Sequence, residues 1–404
     1  MNTKERRPLI AGFDEIKNGK TTDIYFVRTN QVLKAKGLDK IRVVAETTTG
    51  GIPGGYPWGI LCGVNDVAWL FKDIPVDVYS MPEGSVFFPS DNHGLREPVL
   101  YVEGAYADFC ELETPMLGLI CQSSGVATRA ARVRLAAGEK TLIAFGVRRM
   151  HPAISPTLDL AAYIGGMDGV SSILGAELIG EKPSGTMPHS LIIVFGDQTS
   201  AWKAFDEVMP SEVPRICLTD TYYDEKTEAI MASETLGARL AAVRLDTTGS
   251  RRGNFAEIVK EVRWELNLRG RKDVKIFVSG GLDENSVREL SEAGADAFGV
   301  GSWVSGAPTI DFGFDIVEVE GKPAAKRGKL SGKKQVWRCT RCMLDTVQSS
   351  KEDAPNCPKC GGETEEMLKP LVKNGKIISE AFKPRDIRRR VLEQLDRLLN
   401  LNLI

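Results

Sequence analysis

Two glycine-containing segments, Val278-Ser279-Gly280-Gly281-Leu282-Asp283 and Phe298-Gly299-Val300-Gly301-Ser302, decide the fold. The residues between them place Val287, Leu290 and Ala293 at helical spacing. The order is therefore strand, glycine turn, helix, strand, glycine turn, which is the repeat of a parallel β/α sheet. Because glycine has no Cβ, the backbone N–H groups of such turns can approach an anion closely. In parallel β/α barrels the last two strands often end in a phosphate site, so these segments predict an enzyme that binds a phosphate monoester.

Composition narrows the class of protein. The chain has 404 residues, 42% hydrophobic and 26% charged, which is ordinary for a folded globular protein. A chain of this length is expected to hold two or three domains. The net charge of −2 gives no general attraction to nucleic acid or anionic membrane, so phosphate recognition must be local. The charged N-terminus does not resemble a secretory signal and no apolar run is long enough to span a bilayer. We therefore expect a cytoplasmic protein without a membrane partner.

Four of the eight cysteines form a cluster in the sequence: Cys339 and Cys342, followed by Cys357 and Cys360. Each Cys-x-x-Cys pair can present two thiolates from one tight turn, and two such pairs are typical of a tetrahedral four-cysteine zinc site. Because the protein would fill all four positions, the predicted zinc is structural. A disulfide is disfavoured in a cytosolic chain. The flanking charges have mixed signs, which does not favour nucleic-acid binding by this module.

The pattern along the chain predicts an α/β protein with three domains. We expect an N-terminal α/β domain over residues 1–114 and an irregular parallel β/α barrel over residues 115–312. A small C-terminal domain, 313–404, would hold the zinc module at 339–360 and end in an amphipathic helix over Pro384–Leu401. Strands of the barrel are predicted at 141–145, 169–173, 191–195, 215–218, 241–245, 274–278 and 297–300.

Polar residues follow many of these predicted strands, where the chemistry of parallel β/α architectures is found. They are Arg148, Arg149, His151, Asp168, Thr186, His189, Thr219, Asp220, Asp224, Arg244, Asp246 and Thr247. Arginine forks bind phosphate oxygens, and carboxylates hold ribose hydroxyls, bind Mg²⁺ through water and stabilise a cationic sugar centre. A histidine beside a phosphate can act as acid, base or phosphoryl acceptor. The mixture predicts a substrate with several phosphates and a developing positive charge.

Structural roles remain open for some of these residues. Asp220 and Asp224 could cap a following helix, and Arg244 could serve in a structural ion pair. His151, which precedes a proline, could be an ordinary loop residue, as could His93 in its polar turn.

Taken together, six ordered motifs resemble the nicotinate phosphoribosyltransferase family, in particular its archaeal-type members, over nearly the whole chain. The motifs are Thr22-Asp23-Ile24-Tyr25, Phe145-Gly146-Val147-Arg148, Gly185-Thr186 with His189, Thr219-Asp220-Thr221-Tyr222, Arg244-x-Asp246-Thr247, and the glycines 280–281 with 299–301. The resemblance implies a type II phosphoribosyltransferase fold with a C-terminal zinc knuckle. It also implies transfer of the 5-phosphoribosyl group of phosphoribosyl pyrophosphate to nicotinate in NAD biosynthesis, with Mg²⁺. ATP coupling stays open.

The resemblance also implies roles for single residues. Tyr25 from a neighbouring subunit and Phe145 would enclose the pyridine ring, which requires a homo-oligomer with a shared site. His189 corresponds to the histidine that is transiently phosphorylated in ATP-coupled members. Asp220 and Asp246 would stabilise the cationic ribose. The remaining residues would bind substrate, with Arg148, Arg149 and Mg²⁺ on the pyrophosphate, Arg244 on phosphate or the base carboxylate, Thr186, Thr219 and Thr247 near the phosphoribosyl group, and Ser279, Gly280, Gly281, Gly299 and Gly301 on the 5′-phosphate.

One departure from the family pattern concerns Asp168. Nicotinate enzymes usually carry a Gly-Thr-Ser-Asn type sequence where this chain has Gly166-Met167-Asp168. An aspartate there resembles nicotinamide-using relatives, and a carboxylate facing that of nicotinate would be repulsive unless it pointed away or were screened. Nicotinamide and quinolinate phosphoribosyltransferases are therefore alternatives, although quinolinate would demand more basic residues around the base. An alternative of another class is a zinc-ribbon protein that binds nucleic acid through Lys322–Lys334.

Overall fold

The structure, a computed structural model, describes residues 9–251, 253–379 and 382–404. These residues form two compact units. The first unit combines the chain up to Thr128 with Pro308–Ile404, and the second unit is Arg129–Ala307.

The described residues contain 18 β-strands. They are β1 (Arg42–Thr49), β2 (Gly59–Ile60), β3 (Asp77–Ser80), β4 (Val86–Phe87), β5 (Leu100–Ala105), β6 (Thr141–Ala144), β7 (Gly169–Val170), β8 (Arg215–Leu218), β9 (Leu240–Leu245), β10 (Lys275–Ser279), β11 (Ala297–Val300), β12 (Phe312–Val319), β13 (Lys322–Pro323), β14 (Lys334–Cys339), β15 (Asp345–Ser349), β16 (Thr364–Glu366), β17 (Lys369–Lys373) and β18 (Lys376–Ile377).

The described residues contain 14 α-helices, none of them both long and apolar enough to cross a membrane. They are α1 (Phe13–Lys17), α2 (Ile24–Ala35), α3 (Val64–Phe71), α4 (Tyr106–Phe109), α5 (Glu113–Ala137), α6 (Ser155–Ile164), α7 (Ile173–Ile179), α8 (His189–Phe195), α9 (Gln198–Val208), α10 (Glu225–Leu236), α11 (Phe255–Leu268), α12 (Glu284–Glu292), α13 (Ser302–Ser305) and α14 (Pro384–Asn400). Short 3₁₀ helices occupy Pro53–Gly55, Cys110–Leu112, Val147–Arg149, Pro152–Ile154 and Gly237–Arg239.

The first unit is built around a seven-stranded antiparallel sheet with the order β13-β12-β1-β5-β3-β17-β18. Three strands from the first part of the chain, β1, β5 and β3, lie at its centre, and late strands flank them on both sides, because β1 pairs with β12 and β3 pairs with β17. The unit boundaries therefore differ from the three domains predicted at 1–114, 115–312 and 313–404. The predicted C-terminal helix is confirmed as α14, and its apolar stripe of Ile387, Val391, Leu395 and Leu398 is buried.

The second unit is built around a six-stranded parallel sheet with the order β7-β6-β11-β10-β9-β8. The central strands β10 and β11 are almost entirely buried, as expected for parallel strands covered on both faces. No pairing between the described residues joins the edge strands β7 and β8, so the sheet is an open half-barrel. The predicted α/β class, with a parallel β/α sheet in the middle of the chain, is confirmed.

One predicted strand is wrong. Residues 191–195 belong to α8, which ends at Gly196 in the left-handed conformation. A short apolar run fits a strand or a helix equally well by periodicity alone, and here the side chains of Ile193 and Val194 are 58% and 83% exposed instead of buried in a sheet. The other six predicted strands are observed. Five match at their ends or shift only slightly, whereas the strand predicted at 169–173 covers only Gly169–Val170 and Ile173 begins α7.

Candidate active site

A cavity of about 640 Å³ opens in the second unit at the edge where its parallel strands end. Its walls include Phe145 after β6, Asp246 after β9, Gly280 after β10 and Gly301 after β11. Because the carboxyl ends of parallel strands meet at one edge, residues distant in sequence converge there. The volume lies in the range of small-molecule binding sites.

The structure brings most of the predicted second-unit site residues to this cavity. Phe145, Arg148, Arg149, Thr186, Arg244, Asp246, Ser279, Gly280, Gly281, Gly299 and Gly301 line it. Four predicted residues are not part of the lining. Thr219, Asp220 and His189 contact lining residues by hydrogen bonds or close approaches, and Thr247 directly follows Asp246 and donates to Asp220.

Arg244 is held in one orientation by three neighbours. Its Nε donates to Ser279 Oγ at 2.9 Å and its Nη1 donates to Thr186 Oγ1 at 2.7 Å. Its Nη2 lies 3.1 Å from Asp246 Oδ2. The guanidinium carbon also lies 5.3 Å from the centre of the Phe145 ring. A fixed cation beside an aromatic face suits a flat ligand that carries a negative charge.

Two aspartates and a histidine form an acidic cluster next to this arginine. Asp220 Oδ2 accepts from the Asp246 backbone N–H at 2.8 Å and from Thr247 Oγ1 at 3.0 Å. Asp220 Oδ1 is buried without a hydrogen-bond partner among the described residues. It lies 3.6 Å from His189 Nε2, which is 3.8 Å from Asp246 Oδ2. An unpaired buried carboxylate oxygen is ready to accept from a sugar hydroxyl or from water on a cation.

Burial dominates the ionisation of Asp220. It raises the pKa of this carboxyl to about 6, against the lowering effects of His189 and of the Asp246 and Thr247 hydrogen bonds. The carboxylate is therefore charged at neutral pH but close to its titration range.

The ring of His189 is held from both sides. Its Nδ1 lies 3.1 Å from the hydroxyl of Thr221, while Nε2 faces the two aspartates. The side chain is 38% exposed, so part of the ring stays accessible. His151, by contrast, uses its Nδ1 to accept from the Ala153 backbone N–H and begins a 3₁₀ helix, which is a structural role.

The glycines of the two turns are required for different reasons, a backbone conformation in one turn and a lack of space for a Cβ in the other. Gly280 and Gly281 have φ of 92° and 64°, a region that L side chains rarely adopt. Gly299 instead lies inside β11, where a Cβ would come within 2.4 Å of the Phe145 ring. The first turn therefore exposes backbone to the cavity, whereas Gly299 makes room for Phe145.

Arg148 and Arg149 lie on the 3₁₀ helix Val147–Arg149 at the cavity rim. Both are exposed, and neither forms an ion pair with a described carboxylate. They give the cavity mouth a positive charge that is available to an anionic ligand.

The expectation for Asp168 is corrected by the structure, because this residue does not line the cavity. It precedes β7, at the amino end of the strand, whereas the cavity lies at the carboxyl ends. Its Oδ2 lies 2.6 Å from Arg134 Nη2 and accepts from the Leu142 backbone N–H at 2.8 Å. Asp168 thus holds the start of the sheet, and the argument it offered for nicotinamide falls away.

Tyr25 belongs to the first unit, where its side chain is 56% exposed. It lines a separate cavity of about 340 Å³ together with Phe26, Glu113 and Lys326. Burial raises the pKa of Glu113 to about 7. The role of Tyr25 against a pyridine ring in a neighbouring subunit stays a prediction.

Several lining residues were missed in the sequence. Ser171, Met187, Asp283 and Trp303 line the cavity. Ser171 directly follows β7 and Trp303 follows the second glycine turn, so position after a strand was the available signal. Asp283 caps α12 by accepting from the Ser286 backbone N–H. The ring of Trp303 lies 3.9 Å from the guanidinium carbon of Arg129, which fixes one wall.

The four clustered cysteines form a candidate metal centre in the first unit. The sulfur atoms of Cys339, Cys342, Cys357 and Cys360 all lie within 4.8 Å of one another. The shortest separation, 3.4 Å, is far longer than a disulfide bond of about 2.05 Å. Burial opposes ionisation of Cys339, but N–H groups of Cys342 and Arg341 donate to its sulfur and lower its pKa to about 6. Four converging sulfur atoms fit a tetrahedral soft-metal site.

The chain matches two family models of quinolinate phosphoribosyl transferase. Residues 23–124 match its N-terminal domain and residues 126–315 match its C-terminal domain. A nicotinate phosphoribosyltransferase of Mycobacterium tuberculosis is 32% identical over 321 residues, covering 75% of this chain and 65% of that protein. The mouse nicotinate phosphoribosyltransferase is 27% identical, covering 69% of this chain and 64% of that protein. The chain thus spans less than two thirds of the length of these relatives.

Two solved structures are similar over nearly the whole chain. The nicotinate-nucleotide pyrophosphorylase from Pyrococcus furiosus is 54% identical with a TM-score of 0.94, and the match covers 99% of this chain and 100% of that one. The human nicotinic acid phosphoribosyltransferase has a TM-score of 0.74 at 21% identity, covering 93% of this chain and 94% of that one, and supports the fold.

Proposed function

The chain belongs to the nicotinate phosphoribosyltransferase family, and from this premise we propose that it transfers the 5-phosphoribosyl group of phosphoribosyl pyrophosphate to nicotinate. The products would be nicotinate mononucleotide and pyrophosphate, a step of NAD biosynthesis. The observation that carries the proposal is the convergence of Arg244, two exposed arginines and the His189–Asp220–Asp246 cluster on one cavity at the end of the parallel sheet.

The cavity offers separate places for the two anionic ends of the substrate. The 5′-phosphate would lie on the turn formed by Ser279, Gly280 and Gly281, in which the two glycines have no Cβ between their backbone and the cavity. The pyrophosphate would meet Arg148 and Arg149 at the rim, where their guanidinium groups are free to form paired hydrogen bonds. The sugar would then lie between the two, next to Asp246.

The acidic cluster would stabilise the ribose as the bond to pyrophosphate breaks and positive charge develops on C1. Asp220 and Asp246 supply the negative charge, and the unpaired Oδ1 of Asp220 can accept from a ribose hydroxyl or from a hydrated cation. This donor set fits Mg²⁺, which usually keeps several waters and binds through one or two carboxylates and substrate phosphates. When bound, Mg²⁺ would neutralise charge on the departing pyrophosphate.

The base would stack on Phe145 with its carboxylate towards Arg244, since the guanidinium lies beside that ring. Stacking contributes only about 0.5–1.5 kcal/mol beyond burial. Its main effect would therefore be to aim the pyridine nitrogen at the ribose. Thr186 and Ser279 hold Arg244 in place for this contact.

The side chain of His189 is 38% exposed, which would let an ATP-coupled form of the reaction reach its ring. We propose it as the phosphoryl acceptor if ATP stimulates turnover.

Tyr25 would complete the site from a second subunit, which makes the active form a homo-oligomer. Mixing inactive Tyr25→Ala with inactive Asp246→Asn should then restore activity, because mixed oligomers contain some intact sites. Failure to complement after subunit exchange would contradict a shared site.

The nucleic-acid alternative rested on the basic segment Lys322–Lys334, and carboxylates pair with most lysines of this segment. Within the basic segment, Lys326 and Lys329 pair with Asp315, Lys333 pairs with Glu103, and Lys334 pairs with Glu46. Three carboxylates therefore already pair with four of the lysines in this segment. Quinolinate remains a second candidate base, because the matching family models carry that name.

Product analysis by chromatography tests the proposal. The protein would be incubated with phosphoribosyl pyrophosphate, Mg²⁺ and each of nicotinate, nicotinamide and quinolinate, with and without ATP. Mononucleotide from nicotinate alone is the expected result. Product from another base would retain the transferase chemistry and change the substrate, and no product from any base would refute the proposal.

A further inference from the structure

Glu228 is a fully buried carboxylate behind the candidate site, in the first turn of α10. No lysine or arginine among the described residues forms an ion pair with it. A buried charge without a cationic partner is costly unless hydrogen bonds satisfy it. The contacts that compensate this charge therefore indicate why a carboxylate is there.

Three consecutive backbone N–H groups donate to this carboxylate. Thr221 donates to Oε2 at 3.1 Å, and Tyr222 and Tyr223 donate to Oε1 at 2.7 Å and 2.9 Å. The amide of Gln198 approaches Oε1 at 3.4 Å. All partners are donors, and a carboxylate is the side chain that only accepts.

The segment that Glu228 binds has few other anchors. Residues 219–223 connect β8 to α10 without regular structure, and the side chains of Tyr222 and Tyr223 are 47% and 59% exposed. Their burial therefore contributes little to fixing the backbone. The hydrogen bonds to Glu228 are what hold the second half of this connection.

The same connection carries the groups that surround His189. Asp220 lies 3.6 Å from its Nε2 and the Thr221 hydroxyl lies 3.1 Å from its Nδ1. Asp220 is also held by the Asp246 backbone N–H and the Thr247 hydroxyl, so displacing residues 221–223 would move the Thr221 contact first. We propose that Glu228 is a positioning residue, which holds residues 221–223 so that Thr221 orients His189. The effect of Glu228 on turnover rests on the proposed function, whereas the effect of Glu228 on the His189 ring does not.

Glu228→Gln changes the hydrogen-bonding groups of the side chain while nearly keeping its size. Glutamine has nearly the same size, but one of its two terminal atoms is an NH₂ donor. If its oxygen keeps the bonds from Tyr222 and Tyr223, its NH₂ faces the Thr221 N–H, donor against donor. The variant should therefore release Thr221 in particular.

The test compares Glu228→Gln with Glu234→Gln, the same change at an exposed position of the same helix. The chain has three histidines, so NMR of ¹⁵N-histidine-labelled protein can follow each ring, with His189 assigned from a His189→Asn variant. In Glu228→Gln the ring signals of His189 should shift, while those of His93 and His151 stay in place. The turnover number kcat should fall roughly tenfold or more, about 1.4 kcal/mol, with a smaller change in KM. Glu234→Gln should match the parent protein.

Unchanged His189 signals in a folded Glu228→Gln protein would overturn the proposal, even if its melting temperature fell. If that variant does not fold, Thr221→Val removes the hydroxyl without altering Glu228. It should reproduce the His189 shift, and an unshifted ring would again overturn the proposal. Because the NMR readout needs no substrate, it decides the question even if the protein transfers no phosphoribosyl group.

Discussion

At the scale of single residues, an aspartate beside a parallel strand has one of two roles, depending on the end of the strand at which it lies. Asp168 and Asp296 each directly precede a parallel strand. Asp168 pairs with Arg134 and accepts from Leu142 N, and Asp296 pairs with Arg263 and accepts from a backbone N–H of the neighbouring strand β10. Aspartates before strands hold the sheet, whereas Asp246, directly after a strand, lines the cavity. Position relative to the strand, more than residue type, separates structure from chemistry.

Asp168→Asn should therefore lower stability without changing the choice of base. The amide loses the charge that Arg134 faces, which should reduce the free energy of unfolding by roughly 1–3 kcal/mol. Urea unfolding would measure this loss, and Asp296→Asn is the matched variant with the same expected loss. The ratio of kcat/KM for nicotinate over nicotinamide should equal that of the parent protein. A tenfold change in this ratio would return Asp168 to the site.

The raised pKa of Asp220 predicts an acid limit of activity. Burial favours the protonated acid, so the catalytic charge is present above about pH 6 and is lost as the pH falls through that value. The phosphate of the substrate also titrates near pH 6, so kcat/KM for phosphoribosyl pyrophosphate should fall with two protons. In Asp220→Asn, the residual kcat/KM should fall with one proton instead of two, because only the substrate phosphate still titrates. Profiles of equal slope would contradict the role of Asp220.

At the scale of elements, the sequence was informative where periodicity and turn residues agreed. The strand–turn–helix–strand unit around β10, α12 and β11 and the amphipathic helix α14 could be predicted, because each combines a clear period with glycine or proline at its ends. Residues 191–195 could not, since five apolar residues fit a helix as well as a strand. The flanking of the early strands by late strands in the first unit was equally hidden, because pairing between distant segments leaves no local pattern.

Most of the candidate site followed from one rule, that residues after parallel strands meet at one edge. The rule identified Asp246 and the first glycine turn, and Arg244 is the next-to-last residue of β9. It did not identify Glu228 or Thr221, because their contribution comes through hydrogen bonds to a connection whose path the sequence does not reveal. It also assigned Gly299 to phosphate, whereas the structure gives it a packing role against Phe145.

Gly299→Ala tests that packing role. The new methyl group would lie 2.4 Å from ring atoms of Phe145, so the ring must move into the cavity. The KM for nicotinate should rise roughly tenfold, with a smaller effect on phosphoribosyl pyrophosphate, and stability should fall by roughly 1–3 kcal/mol. Gly313→Ala, where a Cβ meets nothing within 4 Å, is the control and should behave as the parent. A parental KM in Gly299→Ala would show that Phe145 does not position the base.

The cysteine module makes a separate prediction. Parent protein should contain about one zinc per chain, and Cys357→Ser should contain none and melt at a lower temperature, because three sulfur ligands no longer close the tetrahedron. Elemental analysis after dialysis measures the metal content. Cys121→Ser changes a cysteine outside the cluster and should retain zinc. Full zinc content in Cys357→Ser would refute the four-cysteine assignment.

At the scale of the whole molecule, the positive charge that concerns function is confined to one site. The net charge is only −2, and the lysines of the 322–334 segment are largely paired with carboxylates of the first unit. The unpaired arginines that concern function, Arg148 and Arg149, lie at the rim of the second-unit cavity. A protein without a general attraction to polyanions thus keeps a confined positive site, which suits a small phosphorylated substrate better than a nucleic acid.

The most direct test of the central claim is ³¹P NMR of a reaction containing phosphoribosyl pyrophosphate, Mg²⁺ and nicotinate. We predict that nicotinate mononucleotide and pyrophosphate appear in equal amounts as the substrate disappears. Asp246→Asn should abolish both signals while retaining the parental fold by circular dichroism. Persistence of phosphoribosyl pyrophosphate with the parent protein, or equal consumption by Asp246→Asn, would contradict the account.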